Sequence, residues 1–280
     1  FLKKNFEGND KLAVWDGELY LEMHRGTFTT KSKLKKYNRR LEFMLRDAEL
    51  ISALRMKNGE EYPAEKLREI YKKLMINQFH DILPGSHITP VCRDAEADYE
   101  EIEKELCEIL GSGNKYFNTL NFKRTSLTFI PDEKSGFVRE GQKGFYAVPN
   151  IDALSCGEIF SENASSDWIS VKENHIETPY YSAIFAPDGS FVSLKDKELC
   201  REWVKGDFNK LKMYHDTPGN YDAWDILPNY KDRPCEFSVE SPLEFIGADG
   251  ESAEFSVAFA TEKSNWTMKI RFFRKSRGIE

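Results

Sequence analysis

The stretch Ile76-Asn77-Gln78-Phe79-His80-Asp81-Ile82-Leu83-Pro84-Gly85-Ser86 decides how this sequence is interpreted, because it combines a helix end with a group of polar residues. It follows a segment, beginning near Pro63, in which apolar residues fall on one side of a helix. From Leu74 onward the apolar residues point in nearly every direction around the helix axis. We therefore expect this end of the helix to be enclosed on all sides.

Four polar residues lie within that apolar end, namely Asn77, Gln78, His80 and Asp81. Each would need a partner if enclosed, because an unpaired buried polar group costs about 1 to 3 kcal/mol. Such a group of residues is typical of a functional site. A core histidine held by the local backbone just before a Pro-Gly helix stop would give the same pattern, so the residues alone leave both interpretations open.

Composition excludes several classes of protein. The chain has 280 residues, of which 40% are hydrophobic, 31% charged and 13% aromatic, as expected of a globular protein with two or more cores. A net charge of -7 with both signs interspersed argues against a nucleic-acid partner. No apolar run is long enough for a membrane span, and the N-terminus shows no signal peptide.

The cysteines indicate a compartment. The five cysteines are scattered without the spacing of a metal site, and their odd number fits a reducing environment better than a disulfide framework. A cytoplasmic location is therefore favoured. Because the sequence opens on Phe1 in the middle of a pattern, we expect it to be a fragment of a longer polypeptide.

Helical periodicity recurs through the first part of the chain. Helices are predicted over residues 31–57, from Pro63 through the stretch quoted above, and from Pro90 to about Leu110. Short connections between three such helices predict an antiparallel bundle over residues 31–112. The apolar positions recur at spacings of three and four, which indicates core packing: Leu34, Tyr37, Leu41, Met44, Ala48 and Ile51 in the first helix, and Cys92, Ala95, Tyr99, Ile102, Leu106 and Ile109 in the third.

After Gly111 the composition changes to short runs of aromatic and β-branched residues broken by Pro, Gly, Asn and Asp, which places a domain boundary there. Their spacing predicts a mainly antiparallel β-sandwich over residues 113–280, which we expect to be incomplete at its C-terminus. The predicted fold class is therefore α+β and multidomain. The predicted strands are 126–130, 144–148, 168–171, 181–185, 191–194, 235–239, 255–259 and 266–272.

Several stretches carry a resemblance to one family. Residues 77–86, Asn-Gln-Phe-His-Asp-Ile-Leu-Pro-Gly-Ser, resemble the sequence that marks the helical domain of glycoside hydrolase family 38, the zinc-dependent retaining α-mannosidases. Residues 17–29, Gly-Glu-Leu-Tyr-Leu-Glu-Met-His-Arg-Gly-Thr-Phe-Thr, are similar to the segment in which that family's catalytic β/α barrel leads into the helical domain. We therefore expect residues 1–30 to form an extended lead-in; an arm with solvated Glu22, His24 and Arg25 is the alternative.

The β-domain carries further similarity. Residues 220–226, Asn-Tyr-Asp-Ala-Trp-Asp-Ile, resemble a stretch of bacterial members of the family, although the usual Asp-Pro that follows is Leu227-Pro228 here. Residues 185–196 are similar to a hairpin of the same domain. For Tyr221, Trp224 and Asp225, direct sugar contact and an aromatic anchor that docks this segment remain open alternatives.

The resemblance implies a division of chemical roles. His80 matches the helical-domain ligand of the family's single zinc ion, and Asp81 matches a residue that binds sugar hydroxyls. The other histidines show no ligand spacing, so the nucleophile and the remaining zinc ligands are expected from the barrel of the same polypeptide. Glu22 is a candidate for the general acid. We expect His80 and Asp81 to lie at a surface open to that barrel.

The resemblance therefore predicts a fragment that belongs to an α-mannosidase acting on α-mannosides and is inactive by itself. A non-catalytic module that binds carbohydrate or protein is the alternative. Sequence upstream of Phe1 separates the two, because only the enzyme requires a barrel with His-x-Asp and a later catalytic Asp.

Overall fold

The computed structural model describes residues 8–9, 12–16, 22–111, 115–132, 137–139, 142–159, 165–217 and 219–280. Three α-helices precede a set of antiparallel sheets in these residues, which confirms the predicted fold class. They divide into two compact units. The first contains the described residues up to Ala48 together with Pro63–Leu106 and Asp216–Tyr230, and the second contains Glu49–Tyr62, Cys107–His215 and Lys231–Glu280. The domain boundary placed near residue 112 stays a prediction.

The helices follow the predicted periodicity closely. They are α1 (Ser32–Met56), α2 (Ala64–Asn77) and α3 (Thr89–Leu110). In the first unit Tyr37 of α1 stacks on Tyr99 of α3, with ring centroids 5.8 Å apart. The residues of the first unit that are buried on the predicted apolar faces are Leu34, Leu41 and Ala48 in α1, Leu67, Ile70 and Leu74 in α2, and Cys92, Ala95, Tyr99, Ile102 and Leu106 in α3.

One buried polar cluster fixes α2 against α3. The Asn77 side chain, which is 2% exposed, donates to the Lys73 carbonyl at 3.1 Å and to the Asp98 carboxylate at 3.0 Å. The Tyr99 hydroxyl donates to the Asn77 carbonyl at 3.4 Å. Burial raises the pKa of Tyr99 to about 12, so its hydroxyl keeps its proton and remains a donor at ordinary pH.

Antiparallel pairing accounts for all the named strands of the second unit. One sheet pairs β1 with β5, one has the order β2-β4-β3, one has the order β10-β9-β8-β7-β6, and one has the order β11-β12-β13. The strands are β1 (Lys115–Phe117), β2 (Thr128–Pro131), β3 (Phe137–Arg139), β4 (Gln142–Ala147), β5 (Cys156–Glu158), β6 (Ser170–Lys172), β7 (His175–Glu177), β8 (Tyr181–Phe185), β9 (Phe191–Asp196), β10 (Arg201–Glu202), β11 (Ser238–Ala248), β12 (Ser252–Ala260) and β13 (Asn265–Phe273).

A shared aromatic core joins the five-stranded sheet to the sheet of β11, β12 and β13. Phe185 is fully buried, and its ring centroid lies 4.3 Å from that of Phe191, 6.0 Å from that of Phe255 and 6.2 Å from that of Phe272. Ile176 and Leu194 belong to the same cluster. The two inner faces therefore pack as a β-sandwich, as the sequence predicted.

The structure corrects some local predictions. Residues 22–28 form a 3-10 helix instead of an extended segment, because hydroxyl and backbone groups of Thr27 and Thr30 bond the carbonyls of His24 and Gly26. Residues 17–21 of the predicted lead-in lie outside the described residues. Short strands such as β5 and β7 were missed, since three residues give too little alternation to recognise. In the described part of the chain, no helix is both long and apolar enough to cross a bilayer.

The aromatic core leads to a stability prediction for the second unit. Replacing Phe185 with Ala should lower the free energy of unfolding by about 3 to 5 kcal/mol, because it leaves a cavity among three neighbouring rings. Phe122→Ala is the matched control, since that side chain is 60% exposed, and it should cost less than about 1 kcal/mol. Urea unfolding of both variants measures the difference, and equal losses would contradict the assigned core.

Candidate functional site

Helix α2 ends sooner than the sequence suggested. It stops at Asn77, and turns follow in which the amides of Ile82 and Leu83 both donate to the Phe79 carbonyl, at 2.9 and 3.1 Å. The expectation that this end is enclosed on all sides is wrong, because Met75, Ile76 and Phe79 are 65%, 64% and 52% exposed. Only the side carrying Leu74 and Asn77 faces the bundle.

The four polar residues of the stretch separate into two pairs. Asn77 is buried with the partners described above, and Gln78 donates to the Asn38 side-chain oxygen at 3.0 Å and to Glu42 at 3.1 Å. These two amides therefore hold the end of α2 to its neighbours. The side chains of His80 and Asp81 are instead 75% and 46% exposed.

His80 and Asp81 form the exposed pair of the site. Their Nε2 and Oδ2 atoms are 3.7 Å apart, and the Phe79 ring lies 4.1 Å from the His80 ring, centroid to centroid. The expected surface position of both side chains is confirmed, and the core-histidine interpretation is wrong for His80. Sequence could not separate the two pairs, since all four residues sit in the same apolar run.

The segment after His80 is fixed from one side by Lys35, a residue of α1. Its ammonium group donates to the carbonyls of Thr30, Leu83 (2.9 Å) and Pro84 (3.2 Å), which uses all three of its protons. Burial lowers the pKa of Lys35. No sequence pattern singles out this lysine, because its position on α1 is a common one for a solvated charge.

Gly85 fixes the same segment by close approach. It has a φ of +87°, and a Cβ atom placed there would lie 2.7 Å from the Thr30 carbonyl oxygen and 3.0 Å from the Lys31 side chain. Only glycine both adopts this conformation without strain and leaves room for that carbonyl. The Pro-Gly pair therefore also lets this segment approach the Thr30 backbone closely.

Residues 220–226 lie in the first unit and pack on the 3-10 helix. The His24 and Trp224 rings meet edge to face at 4.9 Å, and the Gly26 amide donates to the Trp224 carbonyl at 2.9 Å. Asp225 Oδ1 lies 4.0 Å from Arg25 Nε. These contacts favour the docking interpretation for Trp224 and Asp225. Tyr221 has a φ of +59°. Its side chain remains accessible, because the residue is 65% exposed.

Thr30 contacts both the turn at Gly85 and residues 220–226. Its hydroxyl oxygen lies 2.8 Å from the Gly26 carbonyl oxygen and 3.0 Å from the Ala223 carbonyl oxygen, so one proton is shared between two acceptors. The Thr30 carbonyl accepts from Lys35 and lies against Gly85. Thr30 therefore contacts all three stretches that resemble the family: residues 22–29, which are the described part of the stretch 17–29, residues 77–86 and residues 220–226. Glu22 begins the 3-10 helix, but its side chain lies outside the described residues.

The metal-binding capacity of these residues is limited. Across the described ranges, no three His, Cys, Asp or Glu side chains are grouped so that they could hold an ion. The exposed imidazole of His80 has the chemistry of a zinc ligand, but a zinc site takes about four donors. His80 therefore fits the role of one ligand among several.

Comparison with known proteins assigns most of the chain to two family models. The model described as "Alpha mannosidase middle domain" matches residues 22–116. The model described as "Glycosyl hydrolases family 38 C-terminal domain" matches residues 176–280. The first match contains the 3-10 helix and all three helices, and the second contains the sandwich core.

Curated relatives agree with these matches. "Alpha-mannosidase 2C1" of Homo sapiens is 28% identical over 272 residues, covering 88% of this chain and 25% of the relative. "Alpha-mannosidase" of Saccharomyces cerevisiae is 26% identical over 239 residues, covering 80% of this chain and 20% of the relative. The chain thus spans about a quarter or less of their length.

A solved structure supports the fold. The crystal structure of an alpha-mannosidase from Enterococcus faecalis superposes with a TM-score of 0.60 at 13% identity, over 99% of this chain and 44% of that one. At this identity the likeness concerns the fold alone.

The close approach of Gly85 gives a testable difference between two glycines. Gly59→Ala is the control, because Gly59 has a φ of +86° and nothing within 4 Å of an added Cβ; it should cost about 1 to 2 kcal/mol from backbone strain alone. Gly85→Ala should cost about 2 kcal/mol more, since the overlap with a backbone carbonyl is added. Denaturant unfolding compares them, and equal costs would show that the Thr30 contact is unimportant.

Proposed function

The chain belongs to glycoside hydrolase family 38, and from this we propose that it is part of a zinc-dependent, retaining α-mannosidase that hydrolyses terminal α-mannosides of glycans or oligosaccharides. The observation that carries the proposal is the exposed His80-Asp81 pair at the end of α2, in the stretch that resembles the family's helical-domain motif. The relatives named as alpha-mannosidases support the same substrate class.

His80 is the zinc ligand that this chain contributes. Its exposed ring projects from a turn held by Lys35 and Gly85, so the imidazole is presented without local unfolding. An unprotonated imidazole nitrogen of His80 would hold the zinc ion, which would supply Lewis-acid chemistry toward sugar oxygens. The other ligands and the nucleophile belong to the β/α barrel of the same polypeptide.

The exposed apolar residues around His80 support such a partner. Met75, Ile76 and Phe79 are each more than half exposed and flank the candidate ligand. Large exposed apolar groups next to each other mark an interaction surface, because burying them removes apolar area from water. We assign this surface, defined by those three residues, to the barrel; nucleic acid and membrane are not expected partners, and the cytoplasm is the proposed compartment.

Substrate contacts are assigned to Asp81 and, from the second segment, to Tyr221. The Asp81 carboxylate is nearly half exposed beside His80 and accepts hydrogen bonds from sugar hydroxyls. Trp224 and Asp225 were proposed for the same role, but their contacts with residues 24–26 support a docking function. Glu22 stays a candidate general acid. In a retaining enzyme its carboxyl group would lie about 5 to 5.5 Å from that of the nucleophile.

Two substitutions in the longer parent polypeptide separate these roles. His80→Ala should lower zinc content and mannosidase activity together, whereas Asp81→Asn should lower kcat and leave zinc bound. Metal analysis beside nitrophenyl α-mannoside kinetics gives both readouts. His215→Ala, an exposed histidine of the second unit, is the control and should change neither. Undiminished zinc in His80→Ala would refute the ligand assignment.

The 280-residue chain by itself should not hydrolyse a nitrophenyl α-mannoside above the blank, because the nucleophile and the remaining ligands are assigned to the barrel. The parent polypeptide assayed at equal molarity is the positive control. Turnover by the purified chain would contradict this division. A parent reading frame lacking a barrel before Phe1 would instead favour the non-catalytic binding module.

A further inference from the structure

Two residues that follow the Pro-Gly turn fold back onto Asp81. The Ser86 hydroxyl lies 3.3 Å from Asp81 Oδ1 and 3.4 Å from the Asp81 carbonyl oxygen. His87 Nδ1 lies 3.1 Å from the same carbonyl oxygen. Asp81 is therefore contacted through its side chain and its backbone by consecutive residues.

Counting protons assigns the donors. A serine hydroxyl has one proton, and the charged carboxylate is both the nearer and the stronger acceptor, so Ser86 donates to Oδ1. A carbonyl oxygen only accepts, so the His87 contact requires a proton on Nδ1. In the neutral ring Nε2 is then an unprotonated acceptor, and this atom is buried with no hydrogen-bond partner among the described residues.

This arrangement distinguishes the two oxygens of the Asp81 carboxylate. Oδ1 is held by Ser86, while Oδ2 lies 3.7 Å from His80 Nε2. The turn that brings Ser86 back is closed by the Gly85 amide, which donates to the Ile82 carbonyl at 3.0 Å. The carboxylate rotation and the backbone beneath it are thus both restrained, and Oδ2 is the oxygen that Ser86 does not contact.

We propose that Ser86 and His87 are positioning residues that hold the Asp81 carboxylate in the orientation needed to bind sugar hydroxyls. The inference rests on the proposed mannosidase function. Neither residue touches the reacting atoms; both act through Asp81. Preorganisation of this kind matters because a carboxylate already aligned for the sugar loses no rotational freedom when the substrate binds.

The first test compares removal of each donor with its conservative replacement in the parent polypeptide. Ser86→Ala and His87→Leu should each lower kcat by about 10-fold, the scale of one hydrogen bond to a charged or restrained group, with zinc content unchanged. Ser86→Thr keeps the hydroxyl, and His87→Asn keeps a donor near Nδ1. Each should therefore have a kcat about fivefold higher than the variant that lacks the donor. Loss of zinc, or no loss of kcat, would overturn the proposal.

A double-mutant cycle separates positioning from general support of the turn. In an Asp81→Ala background, Ser86→Ala should change kcat by less than about 2-fold, because the group it positions is gone. A merely structural Ser86 would give the same loss in both backgrounds, and that additivity would overturn the proposal.

The tautomer of His87 is testable without any activity. Nitrogen NMR of the histidine-labelled 280-residue chain should show neutral His87 protonated at Nδ1, and a proton on Nε2 would overturn the His87 assignment.

A parent polypeptide without mannosidase activity would refute the proposed function, whereas an active parent with unaffected variants would refute only the positioning role.

Discussion

The approach of Gly85 to the Thr30 carbonyl is the contact on which the candidate site depends. With 2.7 Å between that oxygen and the place of a Cβ atom, no other residue fits without moving one backbone relative to the other. Lys35 completes the contact by binding carbonyls on both sides of it. His80 lies five residues earlier, in the turns that lead to this anchored end.

Thr30 and Gly26 also hold residues 220–226 in place. They follow the strands of the five-stranded sheet in the chain, yet they belong to the unit that contains α2 and most of α1 and α3. Thr30 bonds Ala223, and Gly26 bonds Trp224. A Cβ at Gly26 would lie 3.1 Å from Trp224 and Asp225 backbone atoms, so a larger residue there would push that backbone away slightly.

The first unit combines two kinds of surface at the end of α2. Polar side chains that face the bundle are satisfied, as Asn77 and Gln78 show, and they fix the position of the helix end. Apolar side chains on the other sides remain exposed beside a histidine and a carboxylate. Exposed apolar area is unfavourable in water, which is why we assign a covering partner to this surface.

The sequence by itself determined the helices, most of the sandwich strands and the importance of residues 77–86, because these depend on periodicity and on local turn chemistry. The 3-10 helix, the short strands and the separation of Asn77 and Gln78 from His80 and Asp81 depended on the tertiary structure. Periodicity tells which residues are apolar on a given side, but not what covers that side. The roles of Lys35, Thr30, Ser86 and His87 were likewise decided only in three dimensions, since each acts through a contact with a backbone carbonyl or carboxylate that the order of residues does not reveal.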